Sequence, residues 1–153
     1  HCPHDLNCFF DYDEGMSIAK KEKKPVMIDF TGWGCVNCRN MEVKVWSDER
    51  VLKLLDEEYV LVSLYVDDKT ELPENEQYVS SLGGIEKKIK TIGNKWSDLQ
   101  ASKFGANSQP FYVLLDNEGK LLAKPYVFDL NIDSYVKFLE GGLKEYKKRN
   151  TIK

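Results

Sequence analysis

Two short stretches of the chain are apolar at nearly every position: Pro25-Val26-Met27-Ile28-Asp29-Phe30 and Tyr59–Val66 (YVLVSLYV). Side chains that are apolar on both sides of a pleat belong to a strand covered on both faces. The two stretches therefore predict central strands over 26–31 and 59–66. Residues 13–23 (DEGMSIAKKEK) turn Met16, Ile18 and Ala19 to one side of a polar segment, which predicts a short amphipathic helix that ends before Pro25. Helical periodicity returns over 36–45, and Ser47-Asp48 is a good N-cap for a further helix through about Asp56. Later in the chain, 97–104 reads as a helix packing Leu99 and Phe104. Phe111–Asp116 reads as a strand, Asn117-Glu118-Gly119 as a turn and Lys120–Val127 as its antiparallel partner. A final helix over 132–148 aligns Ile132, Tyr135, Val136, Leu139, Leu143 and Tyr146 on one stripe, weakened in its middle by Gly141-Gly142.

Residues 67–95 break this rhythm. They are polar, carry Pro73, Gly83, Gly84 and Gly93, and read as an insertion holding a short helix or a small hairpin. No repeat and no linker divides the chain, so 1–153 is expected to form one domain, with 1–12 as an N-terminal extension. The order strand–helix–strand–helix–strand–strand–helix predicts an α/β fold. A crossover in its first half and a hairpin in its second give a mixed central sheet flanked by helices, a three-layer sandwich.

Composition narrows the function classes. At 153 residues, with 42% hydrophobic and 31% charged residues and a net charge of −3, the chain is an ordinary globular domain with no basic stripe for nucleic acid. No apolar run approaches the ~18–20 residues of a membrane span. Lacking an initiator Met and a signal sequence, the chain reads as a mature form or an excised domain. The isolated domain is expected to be monomeric.

The four cysteines fall into two pairs. Cys2 and Cys8 lie in the polar segment His1-Cys2-Pro3-His4-Asp5-Leu6-Asn7-Cys8, as a small-loop disulfide or two free thiols. A metal site using His1, Cys2, His4 and Cys8 has the right ligand types, but its spacing matches no zinc module. A disulfide there implies an oxidising compartment. Cys35-Val36-Asn37-Cys38 is different: it follows a central strand and opens a helix. The first sulfur then sits among free N–H groups at the positive end of the helix dipole, which favours a thiolate, and the second lies one turn away to resolve a mixed disulfide. Cys35 is thus the expected nucleophile and Cys38 the resolving thiol.

Asp29 is a carboxylate in an otherwise apolar strand, expected to be desolvated, raised in pKa and placed beneath the site to take a proton from Cys38. Glu42, four residues after Cys38, falls on the same helix face and could share the proton work. Trp33, between Gly32 and Gly34, frames the thiol where a partner backbone approaches. Trp46 and Trp96 read as packing.

These residues carry a resemblance. Lys24-Pro25-Val26-Met27-Ile28-Asp29-Phe30, Trp33, Cys35-Val36-Asn37-Cys38, Met41-Glu42 and Trp46-Ser47-Asp48 resemble the thioredoxin superfamily, most closely the C-terminal periplasmic domains of DsbD-type transmembrane reductases. The resemblance implies a thioredoxin-like fold and thiol–disulfide exchange with disulfides in other proteins. Electrons would come from a membrane donor domain and pass to a periplasmic acceptor domain. It also implies that Asp29 and Glu42 tune the thiols, and that Pro110 is a cis proline facing them and leaving the preceding backbone free to pair with a substrate strand.

Three features differ from the family pattern: Gly34 replaces a Trp before the first cysteine, Gln109 replaces a small or β-branched residue before the proline, and the 67–95 insertion is extra. Trp33, Gly34, Gln109 and Pro110 are the expected substrate-docking positions.

With no cation in the Val-Asn dipeptide, the potential is expected nearer thioredoxin (~ −270 mV) than DsbA (~ −120 mV). The sequence thus reads as a periplasmic protein-disulfide reductase domain, with any inner-membrane tether in sequence outside this chain. It needs no cofactor beyond the Cys35–Cys38 pair, and no metal. A free-standing periplasmic thioredoxin for cytochrome maturation or oxidative repair is the alternative of the same chemistry, and a docking or metal-binding module the non-enzymatic one.

Overall fold

The computed structural model describes residues 2–152. In chain order it forms β1 (Cys8–Phe9), α1 (Tyr12–Glu22), β2 (Val26–Thr31), α2 (Val36–Lys44), α3 (Glu49–Lys53) and β3 (Val60–Tyr65). There follow β4 (Tyr78–Ser80), β5 (Lys87–Ile89), α4 (Ile92–Phe104), β6 (Phe111–Leu115) and α5 (Ile132–Ile152). The central sheet has the order β1-β3-β2-β6, with β3 parallel to both β1 and β2, and β6 antiparallel to β2.

Every residue of β2 and β3 is buried, because each strand is paired on both edges and covered on both faces. Alternation along β2 separates two cores. Val26, Ile28 and Phe30 face a cluster with Ala19 of α1 and Trp96 of α4. Met27 faces the other layer, with Met41 of α2, Trp46, and Tyr135 and Leu139 of α5. Asp29 shares the side of Met27 by the same alternation, which places its carboxyl in the layer covered by α2 and α5.

The local signals act as expected at several ends. Asp11 accepts the Glu14 N–H at 3.0 Å to cap α1, which stops at Lys23 in a left-handed conformation (φ 58°). Asp48 caps α3 through the Arg50 N–H at 2.9 Å, and a wider π turn over Leu54–Glu58 prolongs that helix past Asp56. Trp46 and Trp96 are both buried.

Three expectations need correction. The segment Lys120–Val127 is no continuous strand: it meets β6 only at the isolated bridges Leu115–Leu121 and Tyr112–Tyr126. Between those bridges it spends more residues than β6, and Pro125 has no N–H for a ladder, so it bulges away. The helix expected at 97–104 begins five residues earlier, at Ile92, under a Thr91–Asn94 capping box. The N-terminal segment is more than an extension, since β1 adds a parallel edge to β3 at Leu61 and Val62.

The polar insertion holds the hairpin β4–β5. Its base is closed by Leu72 N–H to Lys90 O at 2.8 Å and Ile92 N–H to Thr70 O at 2.9 Å.

Candidate active site

β2 ends at Thr31, Gly32–Gly34 turn the chain, and α2 begins with Cys35 as its N-cap. The Cys35 sulfur does what a capping oxygen does elsewhere: it accepts the backbone N–H of Cys38 at 3.2 Å. Cys35 and Cys38 are joined as a disulfide with Cα atoms 5.2 Å apart. Cys38 is buried, 1% exposed, while Cys35 is half-buried and reachable from outside. The access of the two sulfurs is therefore unequal.

The loop before Cys35 is held from across the sheet. The N–H groups of Trp33 and Gly34 donate to the two carboxylate oxygens of Asp67, at 2.9 and 3.0 Å. Asp67 follows β3, whose parallel pairing to β2 brings the two strand ends side by side. The Trp33 ring, 59% exposed, stacks on Tyr65 with centroids 4.0 Å apart and planes 16° from parallel.

Beneath α2 lies a charge cluster. Asp29 is 2% exposed and its Oδ1 has no hydrogen-bond partner among the described residues. Burial, reinforced by the nearby Glu42 charge and only partly offset by Arg39, pushes its carboxyl up to about 8. Glu42 is likewise raised, first by desolvation, against the pull of Arg39 and His4. The Arg39 guanidinium donates to Glu42 Oε2 at 2.8 Å and to Thr31 Oγ1 at 2.9 Å, so it ties α2 to the end of β2. Among the described residues the buried Arg39 Nε has no hydrogen-bond partner, like the Asp29 oxygen. Two carboxyl groups thus share one guanidinium, an arrangement that leaves Asp29 able to hold a proton near neutral pH.

The N-terminal segment reaches the same helix. Cys2 and Cys8 form a disulfide, which commits both sulfurs to each other rather than to a metal; His1 lies outside the described residues. Within that loop His4 Nε2 donates to the Glu42 carbonyl oxygen at 2.7 Å.

The Gln109–Pro110 peptide bond is cis, and Pro110 is buried at the start of β6. Gln109 turns its amide to Gln100 Oε1 at 2.8 Å, and the fully buried Gln100 amide donates to Ser108 O at 2.9 Å. Asp29 and Glu42 thus fall into one cluster and Trp33 and Gly34 into another, while Gln109 bonds to α4 instead of to either.

Sequence reasoning missed Arg39, Asp67 and Gln100. Arg39 directly follows Cys38, and its i,i+3 spacing to Glu42 is a readable signal. Asp67 stands at the end of an apolar strand, a position that could have been singled out. Gln100 left no signal, because its burial depends on the loop over it.

Residues 7–116 match the family described as Thioredoxin-like. The chain belongs to the thioredoxin-like family.

No curated protein matches it in sequence. Solved structures match it in fold. The DsbH oxidoreductase superposes with a TM-score of 0.61 at 20% identity, over 94% of this chain and 90% of that one. A thioredoxin from Thermus thermophilus gives 0.60 at 20% identity, covering 87% and 84%. The oxidised C-terminal domain of DsbD from Neisseria meningitidis gives 0.59 at 15% identity, covering 89% and 99%. At such identities the likeness is one of fold. The thioredoxin-like sandwich expected from the order of elements is thereby established, and this chain is a thioredoxin-fold domain with a Cys-x-x-Cys disulfide at the head of α2.

Proposed function

We propose that this thioredoxin-like chain is a protein dithiol–disulfide reductase domain working outside the cytoplasm, within an electron relay of the DsbD type. The observation that carries the reading is the unequal burial of two bonded sulfurs at a helix N-terminus, above a buried carboxyl raised to about 8. In the reduced protein the Cys35 thiolate attacks one sulfur of a substrate disulfide, forming a mixed disulfide and expelling a substrate thiolate that takes up a proton. Cys38 then loses its proton to Asp29 in its ionised form, a minor fraction near neutral pH that grows toward pH 8, and attacks the Cys35 sulfur. That closes the Cys35–Cys38 bond and releases the second substrate thiol. Two electrons pass to the substrate, and a donor dithiol restores the reduced pair by the reverse exchange. The chemistry calls for no cofactor beyond these cysteines.

The Cys2–Cys8 disulfide supports an oxidising, periplasm-like compartment. Among the described residues no helix is long and apolar enough to cross a membrane.

The test is a glutathione redox titration with peptide-mapped alkylation, joined to reduction assays on a protein disulfide. A reversible Cys35–Cys38 couple below about −200 mV supports a reductant, and a value well above it turns the reading toward an oxidase or isomerase. Cys35→Ser abolishes reduction, whereas Cys38→Ser accumulates mixed disulfides with the substrate protein. Retained turnover in Cys35→Ser would refute the assigned roles.

A further inference from the structure

Beside the loop that carries Trp33, the surface opens into a groove that the exchange chemistry does not use. One cleft of about 460 Å³ is lined by Phe9, Phe10, Leu72, Pro73, Ile92 and Trp96. A second, of about 250 Å³, shares Phe10, Ile92 and Trp96 and adds Trp33, Tyr65 and Asp68, so the two are continuous. The groove therefore runs to within two residues of Cys35. Its floor keeps large apolar surface in water: Trp33 is 59% exposed and Phe10 43%.

The charges along it are one-sided. Asp11 and Glu14 come from α1 and its cap, Asp68 from the turn after β3, and Glu71 and Glu76 from the base of the insertion; Lys95 of α4 is the only cation among the described residues of the lining. Asp11 and Asp68 cap backbone N–H groups. The carboxylates of Glu14, Glu71 and Glu76 have no hydrogen bond or ion pair among the described residues. Lys95 itself illustrates the fit, since its ammonium lies 4.9 Å from the Trp96 ring centroid. Aromatic faces bordered by unpaired carboxylates complement a chain that is both cationic and apolar.

We propose that this groove docks a lysine- or arginine-rich polypeptide segment of the disulfide-bearing partner, with apolar side chains on the aromatic floor and the partner disulfide led to Cys35. The proposal rests on the reductase reading for the identity of the partner, and it gives the insertion a task, since Glu71, Leu72, Pro73 and Glu76 form one wall. The groove selects for charge.

The experiment uses pairs of peptides with one internal disulfide, identical except for Lys/Arg or Glu in the flanking segment. Oxidation of the reduced protein is followed as a second-order rate, with 2-hydroxyethyl disulfide as a small neutral reference. Binding of the Cys→Ser versions of both peptides is measured in parallel by Trp fluorescence. The basic peptide is expected to bind and react at least tenfold better than the acidic one at low ionic strength, with the margin shrinking as salt rises. Glu14→Gln/Glu71→Gln/Glu76→Gln together should reduce that margin to about threefold, with the neutral reference unchanged. Glu57→Gln/Glu58→Gln/Glu140→Gln, the same charge change outside the groove, should leave most of it in place. Equal binding of the two peptides, equal loss in both triple variants, or a concentration-dependent dimer that closes the groove would each overturn the proposal. Failure to react with the neutral disulfide, with basic-peptide selectivity intact in binding, would instead overturn the reductase reading and leave the groove standing.

Discussion

Asp29 has one oxygen buried without a hydrogen-bond partner among the described residues, in a strand whose other buried polar side chain, Thr31, is bonded to Arg39. Its place on the α2-covered side follows from strand alternation alone, and its burial from the helices laid over that side. The native protein keeps a proton on this carboxyl up to about pH 8, whereas the unfolded chain releases it near 3.8. The folded state therefore binds more protons than the unfolded one between those values, and stability falls as pH rises through that window. Asp29→Asn removes this dependence. Urea unfolding of the oxidised protein at several pH values from 5 to 8 should show the variant gaining on the wild type by up to about 1.4 kcal/mol per pH unit. An unchanged pH slope would mean that the carboxyl is not the buried acid described here. The same substitution should slow resolution of mixed disulfides at neutral pH, through loss of the proton acceptor for Cys38. Arg39 is legible only in part: its spacing to Glu42 can be read along α2, but a cation beside the resolving cysteine could as well have faced solvent, and only the fold brings Thr31 to it as a second partner.

At the scale of elements, α5 shows how periodicity and contact differ. Its stripe was readable from Ile132 onward, and Tyr135 and Leu139 are fully buried as that stripe requires. The Gly141-Gly142 pair, a weak point by propensity, lies inside a helix that continues to Ile152. The two glycines are not equivalent. A Cβ on Gly141 meets nothing within 4 Å, whereas one on Gly142 collides with Leu114 and comes 2.8 Å from the Tyr59 hydroxyl. Gly141→Ala is therefore expected to stabilise the protein by about 1 kcal/mol through helix propensity. Gly142→Ala should destabilise it by roughly 1–3 kcal/mol through overpacking, despite the same gain in propensity. Thermal or urea melts of the two variants decide this, and shifts of the same sign would contradict the packing described. Segment 120–127 teaches the converse: its place after the Asn117-Glu118-Gly119 turn reads as a hairpin strand, yet Pro125 and the excess residues between two bridges prevent a continuous ladder.

Across the whole molecule, the insertion is separable from the sandwich by its own geometry. Leu72 and Lys90 already face each other across a backbone hydrogen bond, so an Asn-Gly turn can join them in place of residues 73–89. The shortened protein is expected to unfold cooperatively, with a Tm lowered by a few degrees because buried Ile89 is lost. It should also discriminate less between basic and acidic peptides, because Pro73 and Glu76 leave the groove wall. Calorimetry and the peptide rates check the two effects separately, and an unfolded product would show that the hairpin is part of the core.

What the sequence determined by itself was local or periodic. The two apolar strands, the amphipathic stripes, the caps at Asp48 and around the Cys-x-x-Cys, and hence the thioredoxin-like order of elements follow from side-chain spacing and from neighbours a few residues away. The tertiary structure decided what depends on residues far apart in the chain. It set the Asp67 carboxylate under the Trp33–Gly34 loop, the Arg39 guanidinium between Thr31 and Glu42, His4 against the Glu42 carbonyl, and β1 on the edge of β3. Periodicity reports which side of an element is apolar; it does not report which distant polar group that element will meet, and the electrostatics of this site are made of such meetings.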